Sequence, residues 1–376
     1  MFPMGGATVV AIRMGRGDKA GANHAFMTAF SLTLLMAALL MAVGMVFSRQ
    51  IVDLSGAKNL SEQMRRMSAQ YLFYCSAFSI PMLMGTCLSV SVRNDGSPQL
   101  SFVGMCAGAV ANIFLDWLFI YPLRMGIISA AVASGLGQVL TVIILLTHFL
   151  RRKGELRIGA FRLDGALAAK VCKRGVPEAV TQLTTPVTAL CYNLMLARLV
   201  GDVGVATFSV LSFIYSLADA TLSGVAQGLQ PLWGQCYGRR DTGEINWYLR
   251  SGLIINLALS VLIYAGLFIF DTPVIRIFNK EPEMIKAAAA ALPYFALPYI
   301  PMALNLIYTA YFFSTKRTGT ANAIAVSRGI AIKALMILSL PLICGTEAIW
   351  FAPFPAEIVT LAAAIVLSKT SKLIYQ

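Results

Sequence analysis

The chain has 376 residues, 58% of them apolar and 12% charged, with a mean hydropathy of +0.73. A soluble domain carries about 25% charged residues, so a water-facing globule is excluded. Thirty Lys and Arg against 17 Asp and Glu leave a net charge of +13. That excess sits between apolar stretches, which points to loops lying against an anionic inner leaflet and away from nucleic acid as a partner. The seven cysteines form no CxxC pair, and no His stands at metal-ligand spacing from them, so they read as small apolar fillers of membrane helices.

Crossing about 30 Å of hydrocarbon takes roughly 20 apolar residues. The chain opens on MFPMGGATVVAIRMG, which is too short to span and lacks the charged start and small-residue cleavage site of a signal peptide. It reads as the second half of a helix. Ten stretches of sufficient length follow: 26–47, 70–91, 99–121, 125–150, 176–200, 203–236, 246–270, 287–313, 319–343 and 346–368. Turn and charge signals separate them, among them GRGDKAGAN at 15–23, RNDGSPQ at 93–99, GRRDTGE at 238–244 and TKRTGT at 315–320. The stretch 203–236 is long for a straight span and reads as one helix, with Gly224, Gly228 and Pro231 as points of bending. With 13–23 in the cytoplasm and strict alternation thereafter, 19 basic residues fall inside and 8 outside, as the positive-inside rule requires.

An internal repeat organises these spans. CYGRRDTGEINWYL at 236–249 echoes RMGRGDKAGANHAF at 13–26, with Gly238-Arg239 over Gly15-Arg16 at an offset of 223 residues. YIPM at 299–302 matches SIPM at 79–82, Gly319 matches Gly96, Gly345 matches Gly126 and Thr360 matches Thr141. Two copies of one unit are therefore expected. They are an N-lobe at 1–150 lacking its first helix and part of the second, a basic cytoplasmic linker at 151–175, and a C-lobe at 176–376 with six helices. By this symmetry about 48 further residues are expected ahead of Met1. The expected fold class is all-α integral membrane, with two pseudo-symmetric helical bundles, ten full transmembrane helices and an N-terminal partial helix. Complete halves with an even number of helices would be parallel repeats about an axis along the membrane normal.

Ionisable groups inside a bilayer cost about 2.5–3.5 kcal/mol on insertion scales, so those that occur are candidate functional groups. Asp116 lies in AVANIFLDWLFI with Asn112 one turn earlier, and Ser134 and Gln138 repeat that spacing on the next helix. A carboxylate with an amide and a hydroxyl suits a hard cation or a proton; the alternative is that Asp116 pins two helices by hydrogen bonds. Asp219, in IYSLADATLSG, reads equally as a cavity-lining acid or as a partner of nearby Ser and Thr hydroxyls. Glu357 lies where the repeat places Gln138, and Glu178, just after Gly-Val-Pro, reads as a carboxylate at a helix start. Arg328 and Lys333, five residues apart, are partners for one of these acids or face a wet cleft. His24 and His148 read as solvated or headgroup-facing. No Walker motif, GxSxG or HExxH occurs, so an ATP-driven pump or a membrane hydrolase is disfavoured and no catalytic residue is assigned.

Three segments carry a family resemblance: GRGDKAGAN after an apolar helix, RNDGSPQLSFVGMCAGAVANIFLDWLFIYPLRMGIISAAVASGLGQ, and GVAQGLQPLWGQCYGRRD. Together they resemble the multidrug and toxic compound extrusion (MATE) transporters, over nearly the whole chain. The resemblance implies twelve helices in two six-helix lobes, a central cavity opening alternately to each side, and export driven by inward flow of protons or sodium ions. It assigns a cation site to Asn112, Asp116 and Ser134, with no metal and no cofactor besides the coupling ion. A further acid of the family's first helix has no counterpart here, and the second-lobe acid of some members falls on Thr185. Asp219, Glu357, Gln138 and Arg328 are the candidates for the substrate cavity. The expected function is a cation-coupled antiporter, monomeric and multi-pass in the bacterial cytoplasmic membrane, exporting drug-like organic cations. A flippase for a lipid-linked precursor and an inactive truncated member of the family are the alternatives.

Overall fold

The computed structural model describes residues 1–54, 61–126, 128–161, 163–315, 317–326 and 331–370. Lys58, Lys316, Arg328 and Lys372 lie outside the described residues, so the expectation placed on Arg328 has no structural counterpart here. The chain divides into two compact units, Met1–Gly175 and Val176–Gln376.

The first unit contains α1 (Phe2–Gly15), α2 (Lys19–Val46), α3 (Ser48–Leu54), α4 (Glu62–Ala77), α5 (Ser79–Asn94), α6 (Pro98–Ile120) and α7 (Ile128–Leu150). The opening segment is helical as expected. Its loop to α2 is much shorter than the nine-residue break read from sequence, because Gly17 takes a left-handed φ of +76° and Asp18 caps α2 by accepting from Gly21 N at 2.8 Å. The basic segment after α7 packs into this unit: Leu156, Leu167 and Val171 are buried in the same core as Val9, Phe26, Leu88, Leu145 and Phe149. Asp95 fastens it, accepting from Glu155 N at 2.8 Å and from Leu156 N, and pairing with His148 Nε2 at 2.8 Å. This corrects the solvated reading of His148, whose side chain is fully buried.

The helix α8 (Gly165–Leu199) leads into the second unit, followed by α9 (Asp202–Arg239), α10 (Thr242–Ile269), α11 (Asp271–Phe278), α12 (Pro282–Ala296), α13 (Tyr299–Ser314), α14 (Thr318–Val326), α15 (Ile332–Cys344), α16 (Ala348–Phe351) and α17 (Pro353–Thr370). Its core is aromatic. Tyr192 stacks on Phe208 with centroids 4.4 Å apart, Phe295 and Trp350 pack around the pair, and the Tyr192 hydroxyl donates to Ile349 O.

The two units repeat each other in detail. Arg240 takes a left-handed φ of +63° where the first copy has Gly17, and Asp241 caps α10 as Asp18 caps α2, accepting from Glu244 N. Each long helix after that cap runs into a short one, α3 or α11, that hydropathy did not mark. The α4–α5 pair bends by 44° and α12–α13 by 43°. Pro81 and Pro301 sit at the same register beyond each break, removing a donor and crowding the carbonyl four residues back.

Among the described residues six helices are long and apolar enough to cross a membrane, or up to eight if each bent pair is one span. The ten expected stretches all fall on helices, apart from residues outside the described set. The difference in number comes from α8, whose portion beyond Val176 is diluted by Glu178, Gln182, Thr184, Thr185, Asn193 and Arg198, and from α15, which is 13 residues long. Outward faces are apolar: Ile113 and Trp117 on α6, and Ile254 and Leu262 on α10, are more than half exposed. Such a surface requires a bilayer around it.

Candidate cation site and substrate cavity

The first site is built where α6 and α7 lie close together. Glycines make that approach possible: a Cβ on Gly108 would collide with Thr141 Oγ1 and fall 2.7 Å from Gly137 O, and one on Gly137 would fall 2.6 Å from Gly108 O. Thr141 closes the seam, its hydroxyl lying 3.2 Å from Gly104 O and 3.1 Å from Gly137 O. Small residues with a hydroxyl between them are how membrane helices hold one another without a hydrophobic driving force.

One turn beyond this seam, Asn112 reaches both helices. Its Nδ2 donates to Asp116 Oδ2 and to Ser134 Oγ, each at 3.1 Å. The structure thus brings together the amide, acid and hydroxyl that the sequence singled out. Asp116 Oδ1 is shielded from solvent and has no hydrogen-bond partner among the described residues. A carboxylate oriented through one oxygen and open at the other can accept a proton or contribute to a hard-cation shell. Tyr71 of α4 stands within electrostatic range of this carboxyl. Gln138 takes no part in the constellation: its Oε1 faces α5, 3.1 Å from where a Cβ on Gly85 would be.

The second unit holds a cavity of about 340 Å³ whose lining includes Glu178, Gln182, Tyr215, Asp219, Gln227 and Lys333. Asp219 is among the residues that line this cavity. The helix-start reading of Glu178 is overturned. The helix begins thirteen residues earlier at Gly165, where Asp164 accepts from Ala166 N and Leu167 N, and Glu178 is an interior residue whose carboxylate accepts from Gln182 Nε2 at 3.2 Å. A Pro at the third position of a Gly-Val-Pro run suggested a fresh start, but α8 continues through Pro177.

An adjoining apolar cavity of about 100 Å³ is lined by Tyr192, Phe208, Phe295, Tyr299 and Met302, with Lys333 and Glu357 at its wall. Glu357 is fully buried. Its Oε1 lies 3.2 Å from Lys333 Nζ, and its Oε2 and main-chain oxygen accept from Asn305 Nδ2 at 2.8 and 2.9 Å. The sequence named Lys333 as a partner for one of the acids. It did not name Asn305, although an Asn inside the apolar run MALNLIYTAYFF carries the signal of a polar group needing a partner.

Comparison with known proteins places these features. The MatE family model matches residues 1–118 and 177–338. The multidrug export protein MepA of Staphylococcus saprophyticus is 20% identical over 371 residues, covering 98% of this chain and 81% of that protein, and MepA of Staphylococcus aureus is 19% identical over the same length. A MATE transporter solved in complex with MaL6 superposes with a TM-score of 0.90 at 18% identity, over 98% of this chain and 85% of that one. A MOP superfamily transporter from Pyrococcus furiosus, described as having a binding pocket of reversed polarity, superposes with a TM-score of 0.91 at 18% identity, over 98% and 82%. With the matched segments spanning both units, the chain belongs to the MatE family, the multidrug and toxic compound extrusion transporters, and is a multi-pass inner-membrane protein.

Proposed function

We propose that this transporter is a cation-coupled antiporter that exports drug-like organic cations, with Asp116 as the group that takes the coupling proton or sodium ion. The observation that carries the reading is the geometry of Asp116, oriented by Asn112 through Oδ2 while Oδ1 is shielded and has no hydrogen-bond partner among the described residues. Occupancy by a cation changes the charge at the α6–α7 seam, and it drives transport only through its differential affinity for the two access states.

For the cargo, the cavity of the second unit pairs two carboxylates, Glu178 and Asp219, with amides, hydroxyls and the ring of Tyr215. Carboxylates and aromatic faces together favour an amphipathic organic cation. A lipid-linked pyrophosphate would need a basic lining, and among the described residues the amine that lines this cavity, Lys333, already faces Glu357. The working form is a monomer embedded in lipid, acting without nucleic acid or a resident cofactor.

The test is efflux of a fluorescent organic cation from proteoliposomes under an imposed proton gradient and, separately, a sodium gradient. Asp116→Asn keeps shape and hydrogen bonding but cannot ionise, so it is expected to abolish gradient-driven efflux in a folded protein while Asp116→Leu also destabilises the bundle. Undiminished efflux by the Asn variant would remove Asp116 from coupling and leave Asp219 as the acid to test.

A further inference from the structure

The repeat allows the polar positions of the two units to be set side by side. Through the SIPM and YIPM matches, Asn305 occupies the register of Gly85, and through the Gly126 and Thr141 matches Glu357 occupies the register of Gln138. The correspondence is spatial as well. In the first unit the side of Gly85 that would carry a Cβ faces Gln138 Oε1 at 3.1 Å, and in the second Asn305 Nδ2 donates to Glu357 Oε2 at 2.8 Å. Counting back from Lys333 by the repeat offsets of 219–223 residues lands at 110–114, on α6 within two residues of Asn112. The counterparts of the helix pair that holds the amide–acid–hydroxyl set, α15 and α17, therefore hold Lys333 and Glu357, and Asn305 joins them from α13, the counterpart of α5.

The two sets differ in what neutralises the acid. Asp116 has amide and hydroxyl neighbours and an oxygen with no hydrogen-bond partner among the described residues. Glu357 has an ammonium on one oxygen and an amide on the other, and the side chains of Lys333 and Glu357 are 5% and 1% exposed. An ammonium against a carboxylate oxygen takes the position that a sodium ion would take, with the same charge. We propose that Lys333 is a tethered cation. Its ammonium permanently fills, on the buried Glu357–Asn305 pair, a site that would otherwise bind a free monovalent cation, so that the second unit exchanges no coupling ion and the ion traffic of the cycle is confined to the first unit. Its functional meaning rests on the ion-coupling reading of Asp116, but its physical content, a latent sodium site on Glu357, does not depend on transport. Lys333 also lies at the wall of the two adjoining cavities described above. By neutralising Glu357 it leaves the electrostatics of the larger cavity to Asp219 and Glu178.

Removing the tethered charge should expose the latent site, because a buried carboxylate stripped of its partner must acquire another cation. The experiment uses purified full-length protein in an Asp116→Asn background, which silences the first unit's acid. It compares thermal melting in sodium chloride and in choline chloride of equal concentration, with equilibrium binding of radioactive sodium as a second readout, at a pH where carboxylates are ionised. With Lys333 in place, melting should be indifferent to sodium. Lys333→Met should melt lower in choline and regain about 2 °C or more in sodium, bind sodium, and lose both properties when Glu357→Gln is added. Lys333→Gln, which keeps a hydrogen bond to Glu357, provides the same comparison if the Met variant does not fold. Variants that ignore sodium in both assays overturn the proposal. So does a lysine-containing parent whose melting rises with sodium and loses that rise on Glu357→Gln, since Glu357 would then accept a free ion beside the lysine. Failure of Asp116→Asn to impair efflux bears on the coupling reading alone and leaves these results unaffected.

Discussion

At the residue scale, the geometry of the first site depends on side chains that are absent. Gly108 and Gly137 bring α6 and α7 close enough for Asn112 to span them, and a methyl at Gly108 would meet both a side chain and a main-chain carbonyl. Gly108→Ala is therefore expected to destabilise the first unit by about 1–3 kcal/mol, measurable as a lower melting temperature. Because the helices must part to admit the methyl, it should also weaken coupled efflux without touching an ionisable group. Asn112 is the bridge, so Asn112→Leu should reduce coupling nearly as much as Asp116→Asn, whereas Asn112→Gln, which keeps the amide, should retain part of it. Equal efflux by the Leu variant and the parent would show that Asp116 needs no orienting partner.

Elements repeat their punctuation more faithfully than their sequence. Asp18 and Asp241 cap α2 and α10 at equivalent positions, each following a residue with left-handed φ, and each cap satisfies a donor at the head of a 28-residue helix. Replacing either by Ala is expected to cost about 1 kcal/mol, and the two costs should add because the caps lie in different units. Chemical denaturation of the single and double variants checks both statements. The bends in α4–α5 and α12–α13 have the same cause in the two Ile-Pro-Met runs. The short helices α3 and α11 were not visible as hydropathic features because each is only seven or eight residues long and carries charged residues, Arg49 and Asp53 in α3 and Asp271 and Arg276 in α11.

For the whole molecule, orientation follows from charge. Lys153 and Lys280 are both exposed, and the alternation of spans assigns Lys153 to the cytoplasm and Lys280 to the opposite side. Single cysteines at these positions, in a background without the seven native ones, should react with an impermeant thiol reagent from opposite faces of the membrane. Reaction of both in intact cells would invert or discard the topology. The prediction matters to function, because a carboxylate that takes a cation from one side and releases it to the other has meaning only once the sides are assigned.

Much of this protein is dictated locally and could be read along the chain. Span lengths follow from the thickness of hydrocarbon, the repeat is written in short recurring motifs, and Asn112 with Asp116 share a helix face by spacing alone. Other features depend on which helices touch. Nothing near His148 in sequence says that Asp95 will take it out of solvent, 53 residues away. Gly-Val-Pro read as a helix start, but α8 runs through it because proline is tolerated in membrane helices whose freed groups find other partners. Lys333, Glu357 and Asn305 come from three helices and meet only because a buried charge must find its counter-charge and its hydrogen bonds in the neighbours that packing provides. Sequence determined the spans, the repeat and the acids, while tertiary structure alone decided which acid keeps an oxygen without a hydrogen-bond partner among the described residues and which faces an ammonium.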